Sequence, residues 1–520
     1  MTTHRPTSKI DVVLTVGEPR PLGRPEPEVP FRMLIMGDFS GRDILRDRTQ
    51  QHTPAKWRPI RVDRDNLDEL PGKLDIGLHG PLLGDHAPAI TLRFGKIDDL
   101  HPDGLVRQIE PLRRLSTLRQ RLANPTTFPE AADEVRTWVQ PGPSIEARPP
   151  TTASPPRQAD VSDPPATGLL DQILDQAPTS DRDLGDTEWQ SFLQSLIRPH
   201  LVPREHPMAP QLIAQVDAAM GQILRTVLHH PAFRELEAAW RGLSFLVDRL
   251  DTDAQLQLYL LDLSRSDLTT DLLHGDDLRA TQLYRLLVEK TVRTPGAHPW
   301  AVVGGVYTFD RTSEDVALLE RLAKLSQEAG APFVAAAAPY IVGCSSFGTV
   351  PDPDAWENPA DREEDHRRWQ FLRQSQEASY LGLSLPRMLL RLPFGRETDA
   401  IAACAFEEMV GVPEHEDYSW GNPVFACLVL LGKAFLEEGW HLRPGSVQDI
   451  EGLPLHVYRD EAGDSVTKPC AEAWLTEKAA ERLLDQGLMP LLSYKNQDRV
   501  RLLRFQSIAT PLSPLQGRWG

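Results

Sequence analysis

The sequence predicts an α/β protein: two α/β domains, a small one followed by a larger one, joined by a proline-rich disordered linker, with strands near the N- and C-terminal ends free to augment another molecule's sheet. Three observations predict this. From residue 31 onward, short apolar words with strand periodicity alternate with longer stretches of helical periodicity. Residues 141–168, PGPSIEARPPTTASPPRQADVSDPPATG, contain no aromatic residue and a proline every few positions. Proline fixes φ and removes a backbone donor, so this stretch builds neither a helix nor a central strand and cuts the chain in two. Residues 9–17, KIDVVLTVG, alternate apolar and polar positions but are separated from the rest by 18–30, EPRPLGRPEPEVP. That charged, proline-rich run spans about 40 Å if extended.

The expected organisation is a strand and arm over 1–30, a small domain over 31–140, the linker over 141–168, a helical segment over 169–209 and a large domain over 210–520. The first strand carries Ile10, Val12, Leu14 and Val16 on one face. On a tether of this length it either folds back on its own domain or joins the sheet of another molecule. In the small domain, 31–36 (FRMLIM) reads as a buried strand ending in the turn residues GDFSG. Strands are expected over 57–62, 73–78 and 89–94, with a short helix over 64–70. One helix is expected over 105–123, where Leu105, Ile109, Leu112, Leu115, Leu118 and Leu122 fall on one side, and another over 129–139.

In the second half, helices are expected over 186–197, 210–228, 231–248, 277–292, 313–329, 369–379, 423–438 and 476–486. Pro231 opens one at a favoured first-turn position, and Gly330 ends another. Strands are expected over 255–262, 300–307, 332–337, 455–458, 489–493 and 500–505. Strands that alternate with helices in this way imply right-handed parallel crossovers.

Composition narrows the function. The chain has 520 residues and a formal charge of −18, which argues against nucleic-acid binding. No apolar run is long enough to cross a bilayer, and 1–16 does not resemble a secretion signal. The four cysteines form no CxxC pair, which suits a reducing cytoplasm and no structural zinc.

The search for chemistry returns little. Residues 63–68 (DRDNLD) start like a calcium loop but lack its glycine and its terminal glutamate, so they read as a charged helix start. Gly304 and Gly305 lack any phosphate-loop spacing and read as a bulge or a close packing point. Cys344 lies just past a strand, where nucleophiles occur, but no histidine is suggestively spaced, and a structural thiol is the simpler account. His229, His230 and His415 lack metal-ligand spacing. No cofactor is implied, and the pattern points to an assembly protein rather than an enzyme.

A resemblance then emerges from whole words. Residues 30–42 (PFRMLIMGDFSGR), 62–69 (VDRDNLDE), 92–94 with 97–100 (LRF, IDDL) and 105–113 (LVRQIEPLR) resemble the small sheath subunit of the type VI secretion system (TssB/VipA-like). Residues 230–243 (HPAFRELEAAWRGL), 313–319 (SEDVALL), 331–337 (APFVAAA), 380–395 (YLGLSLPRMLLRLPFG) and 418–422 (YSWGN) resemble its large sheath subunit (TssC/VipB-like). Both sets occur in family order, so the chain resembles a natural fusion of the two subunits.

That resemblance implies a structural protomer. It polymerises around an inner tube and contracts to propel the tube with its spike and effectors. Implied partners are other copies of the chain, an Hcp-like inner-tube protein, baseplate components and a ClpV-type AAA+ unfoldase. Neither nucleic acid nor direct membrane insertion is implied. It also implies strand exchange between protomers, carried here by Ile10, Val12, Leu14 and Val16 at one end and by Val500, Leu502 and Arg504 at the other. This favours donation of the first strand. The word LLDQIL resembles the unfoldase's helical handle, with Leu169, Leu170, Ile173 and Leu174 on one face; an ordinary helix docked on its own domain is the alternative. The helix over 476–486 would meet the inner tube through Glu477, Lys478, Glu481 and Arg482, and a plain solvated face accounts for it equally well. Two other functions compete: a different phage-tail-like contractile or scaffold assembly, and an α/β enzyme using Cys344.

Overall fold

A computed structural model describes residues 25–43, 57–84, 87–139, 209–356 and 363–519. The first-strand residues Ile10, Val12, Leu14 and Val16, the linker 141–168, the handle residues Leu169, Leu170, Ile173 and Leu174, and the helix expected over 186–197 lie outside these.

The first half contributes β1 (Phe31–Gly37), β2 (Ile60–Val62), the hairpin β3 (Ile76–Gly80) and β4 (Ile90–Phe94), and helices α1 (Pro102–Gln108), α2 (Glu110–Ala123) and α3 (Phe128–Val139). The second half opens with α4 (Ala209–Leu228) and α5 (Pro231–Arg249), then β5 (Leu256–Asp262), α6 (Arg265–Leu273), β6 (Val302–Phe309), α7 (Ser313–Ala329) and β7 (Phe333–Ala337). It continues with α8 (Glu363–Gln374), β8 (Leu381–Leu385), β9 (Met388–Leu389), β10 (Trp420–Gly421), α9 (Val424–Glu438), β11 (Asp449–Ile450), β12 (Val457–Arg459) and β13 (Ser465–Thr467). The last elements are α10 (Glu477–Asp485), β14 (Met489–Ser493) and β15 (Val500–Leu502).

The α/β class expected from the sequence is what the structure shows, and the expected parallel pairings are present. The division of the chain at the linker is not a division of the sheet. One nine-stranded sheet runs in the order β11-β15-β14-β8-β7-β6-β1-β5-β2. β1, from the first half, lies parallel between β5 and β6, both from the second. β2 closes one end of the sheet, antiparallel to β5.

Residue alternation along β1 explains how the sheet is covered on both faces. Phe31, Met33 and Ile35 pack in one core cluster with side chains of α1 to α5 and α9. Leu34 and Met36 pack in the other, with α6, α7, α8 and α10. Successive side chains of a strand point to opposite faces, so a run of consecutive apolar residues is what a strand buried on both sides requires. The result is three layers, helix, sheet and helix.

Local chemistry sets several boundaries. Thr312 caps α7 by accepting from Asp315 N, and Gly330 stops it in the left-handed region at φ 63°. His230 caps α5 by accepting from Ala232 N. Gly304 and Gly305 serve close packing: a Cβ on Gly304 would lie 2.7 Å from Leu428 Cδ1, and one on Gly305 2.4 Å from Phe333 Cζ. The β6–β7 register also shifts between Gly304 and Thr308, so both parts of the sequence expectation hold.

Four helices differ from expectation. The short helix expected over 64–70 is a turn at 63–66, a 3-10 turn over Leu67–Glu69 and a helical turn over Leu70–Lys73. The single helix expected over 105–123 is two, α1 and α2, with Ile109 extended between them. Pro111 in the first turn of α2 lacks an N–H and would clash with the carbonyl one turn back, so a continuous helix cannot pass through it. The helix expected over 369–379 begins earlier, at Glu363, and stops at Gln374; Ser375 then caps a separate 3-10 turn, Gln376–Tyr380. Over 277–292 the helix is broken by Thr281, whose hydroxyl accepts from Tyr284 N, and its last part, Arg285–Val292, is a π-helix.

Candidate functional site

The first candidate site is the seam between the halves. β1 pairs with β5 along its whole length and with β6 from Met33 to Met36. Its side chains Phe31, Met33, Leu34, Ile35 and Met36 are fully buried. Around it, polar groups of one half satisfy those of the other. Trp240 Nε1 donates to Phe39 O at 2.8 Å, and Trp440 Nε1 donates to Val29 O at 2.6 Å. Arg119 of α2 reaches Asp217 of α4 through Nε at 2.5 Å and Nη2 at 3.3 Å. Asp103 at the start of α1 accepts from Ala402 N and Ala403 N. The turn after β1 closes on the second half as well: Ser40 N donates to Asp262 Oδ1, and Ser266 N donates to Asp43 Oδ2.

The second lies at the C-terminal end of the parallel strands, where the words 230–243, 380–395 and 418–422 converge. Arg391 is buried between two buried carboxylates. Its Nε and Nη2 donate to Glu237 of α5 at 2.7 and 3.1 Å, and its Nη1 and Nη2 donate to Glu408 at 2.6 and 2.9 Å. Arg241 donates to the same Glu237 at 2.7 Å. Burial alone would push the Glu237 carboxyl up; the guanidiniums of Arg391 and Arg241 override it and hold it down at about 2. Glu408 also accepts from Phe394 N, which fixes the turn after Arg391.

A neighbouring network holds the next turn. Arg387 donates to Glu472 through its backbone N at 3.0 Å and its Nε at 3.0 Å, and to Glu416 through Nη1 and Nη2 at 3.2 and 3.0 Å. Burial would raise the Glu472 carboxyl; the hydrogen bonds from His415 and Arg387 bring it down to about 2. Among the described residues, His415, Glu416 and Glu472 place possible metal-ligating atoms within 4.8 Å of one another. Arg387 already satisfies both carboxylates, and Lys468 Nζ lies 3.0 Å from His415 Nδ1, so the charge a cation would supply is already there. The cluster is an ion-pair network that pins the loop to the sheet.

The residues singled out from sequence fall as follows. Val500 and Leu502 are buried in β15, whose two edges are taken by β14 and β11 of the same chain. Arg504 is exposed beyond the end of that strand. Glu477, Lys478 and Glu481 are exposed on α10. Lys478 is ion-paired with Asp354, while Arg482 is half-buried, donates to Pro353 O at 2.8 Å and lies over Trp356. Cys344 is buried, and its Sγ donates to Val350 O at 3.4 Å. Burial pushes this thiol up to about 11, far from the range of a nucleophile. Residues 63–66 form a turn in which Asp63 and Asn66 side chains each accept the other's backbone N–H. Among the described residues, no helix is long and apolar enough to cross a membrane.

Sequence reasoning missed the buried triad of Arg391, Glu237 and Glu408. One signal was present: Arg391 interrupts the apolar run MLLRLPF, and Glu237 falls on the inward face of α5 beside Leu236 and Trp240. A charge in such a place needs a partner.

Comparison with known proteins gives two family matches on one chain. The family described as "VipB: EvpB/VC_A0108, tail sheath N-terminal domain" matches residues 210–509. The family described as "Type VI secretion system, VipA, VC_A0107 or Hcp2" matches residues 22–140. The chain is 32% identical over 305 residues to the type VI secretion system sheath protein TssC1 of Pseudomonas aeruginosa, covering 58% of this chain and 61% of that protein. It is 25% identical over 105 residues to sheath protein TssB1 of the same organism, covering 19% of this chain and 59% of that protein. The chain thus spans about three fifths of the length of the curated relatives it matches.

Proposed function

The chain belongs to the VipB tail-sheath family, with a VipA-type segment ahead of it on the same polypeptide, and on that premise we propose that it is a small-plus-large protomer of a type VI secretion sheath. In this role it polymerises as a helical tube in the cytoplasm and contracts to drive an inner tube with its spike and effectors. One observation carries the reading. β1, from the VipA-type segment, is a central strand of the sheet built by the VipB-type segment. The two subunit types are one folded unit here, which is what a single repeating protomer needs. A bistable lattice stores energy in its interfaces and requires no active site.

The finer partners belong to the same proposal: an Hcp-like inner tube reached through α10, baseplate components at the tube's end, and a ClpV-type unfoldase that engages Leu169, Leu170, Ile173 and Leu174. Strand exchange would be made by Ile10, Val12, Leu14 and Val16. The sheet ends in short edge strands, β2 at one side and β11 at the other, and such edges are the usual acceptors of an added strand. Because β15 is paired on both sides, Val500 and Leu502 would belong to the accepting sheet. Arg504, just past β15, would lie at the rim of that contact.

Electron microscopy of the purified full chain tests the proposal. Hollow, helically striated tubes are expected, and their loss on deletion of residues 1–20 with the fold retained. Discrete globular particles from the intact chain would overturn it.

A further inference from the structure

Two stretches that expose apolar side chains lie at opposite ends of the sheet. At the C-terminal end of the parallel strands, residues 409–413 form a loop whose tip, Val410 and Val412, is 70% and 44% exposed. Gly411 between them has φ 76°, and a Cβ there would meet nothing within 4 Å. The loop is anchored on both sides. Before it, Glu408 is held by Arg391, and Arg225 donates to Glu407 O at 2.9 Å. After it, Trp420 donates to His415 O at 2.8 Å and Arg387 holds Glu416. An apolar tip held this firmly is a preformed knob, and exposed Glu407 and Glu414 flank it.

At the N-terminal end of the same strands lies a groove of about 550 Å³, lined by His441, Arg443, Pro444, Phe505, Pro514 and Trp519 among others. Among the described residues that line it there is no carboxylate; Arg443 and His441 are exposed at its wall, and Glu438 lines the adjoining hollow beside them. Leu512, 44% exposed, lies two residues from Pro514. Trp519 packs on Phe31, the first residue of β1, which places the groove at the foot of the sheet. The knob is at the head, since Asn422, beyond β10, donates to Tyr307 O near the end of β6. α5 starts beside the knob, where His229, just before it, meets Asp417. Its 19 residues make it about 28 Å long.

We propose that the knob at 409–413 of one copy seats in the groove of a second copy, with Glu414 facing Arg443. An apolar tip beside an exposed carboxylate and an apolar groove with Arg443 on its wall sit at opposite ends of one molecule. The contact is therefore heterologous, and a heterologous contact that does not close on itself propagates as a helical filament. This rests on the sheath reading and names one of the surfaces through which copies meet.

The test uses the full chain and two variants, Val410→Asp in the knob and Arg443→Glu in the groove, with sedimentation and electron microscopy as readouts. Both positions are exposed, so both variants should melt like the parent. The parent should sediment as polymer, and each variant alone should lose about tenfold or more of the sedimenting material, the effect of about 1.4 kcal/mol per contact. Mixed together, the intact groove of the first variant and the intact knob of the second should associate to a higher average mass than either variant reaches alone. Polymer from either variant at the parent's level would overturn the proposal, as would a mixture that stays monomeric. Failure of the parent itself to polymerise would instead overturn the sheath reading and this contact with it.

Discussion

Replacing Glu237 by Gln should destabilise the protomer by about 3 kcal/mol while leaving its shape almost unchanged. Glu237 is fully buried, and Arg391 is only 8% exposed. The substitution removes the charge that Arg391 and Arg241 both face and leaves Arg391 with the Glu408 carboxylate and the Leu392 carbonyl. In the folded state the carboxyl is held at about 2, against an ordinary 4.5. At 1.36 kcal/mol for each tenfold change in proton affinity, that lowering is worth about 3 kcal/mol. Breaking one partner of a buried ion pair costs about 3–5 kcal/mol in general, so the two routes agree. The loss is large against a typical stability of about 5–15 kcal/mol. The sign in pH follows from the direction of the shift. A carboxyl lowered on folding contributes fully above its unfolded pKa, and its contribution fades as pH falls from about 4.5 toward 2. Urea unfolding of parent and Glu237→Gln at pH 7 and at steps down to pH 3 measures both effects. The gap should be near its full value at pH 7 and narrow below pH 4.5. A gap under about 1 kcal/mol at pH 7, or one indifferent to pH, would refute the claim that this triad is paired and ionised in the core.

Two further outcomes are expected. Cutting the chain at a protease site placed within 141–168 should leave 25–140 and 209–520 together through gel filtration in high salt, because β1 lies between β5 and β6; halves that elute separately would contradict the shared sheet. Gly242→Ala should lower the melting temperature despite alanine's better helix propensity, since its Cβ would come within 2.1 Å of the Phe425 ring and overpacking costs about 1–3 kcal/mol; an unchanged or higher melting temperature would show that α5 and α9 can part at that point.

Where the sequence was informative, the information was periodic and local. The apolar run of β1, the helical stripes of α4 and α5, and the stop at Gly330 each follow from a few neighbouring residues, and the structure has them within a residue or two. What escaped was of two kinds. α6 and β8 carry weak local signals: α6 buries only Leu268 and Leu272, and β8 (LGLSL) owes its strand state to β7 and β14 on either side. The other kind is non-local. Nothing near Phe31 indicates that it will pair with Leu256, because a parallel pairing across that separation leaves no trace in either segment. The site was legible in part. Its words were visible as words, but the contact of Arg391 with Glu237 and Glu408 appears only when three separate segments meet at one end of the sheet.

The position of β1 also bears on why two subunit types would be joined. A sheet lacking β1 would leave β5 and β6 without the strand between them and would strip the apolar cover from both faces at its centre. Unpaired central strands cost their backbone hydrogen bonds and invite wrong partners, so the sheet of the second half is weakened without the first. As separate chains the halves would have to meet before either is complete. On one polypeptide the two parts are held at a far higher effective concentration than separate chains would be. The encounter becomes intramolecular and the ratio of the two parts is fixed at one to one. A lattice made of identical protomers gains directly from this, because a protomer missing its β1 would have an incomplete sheet at every contact it makes.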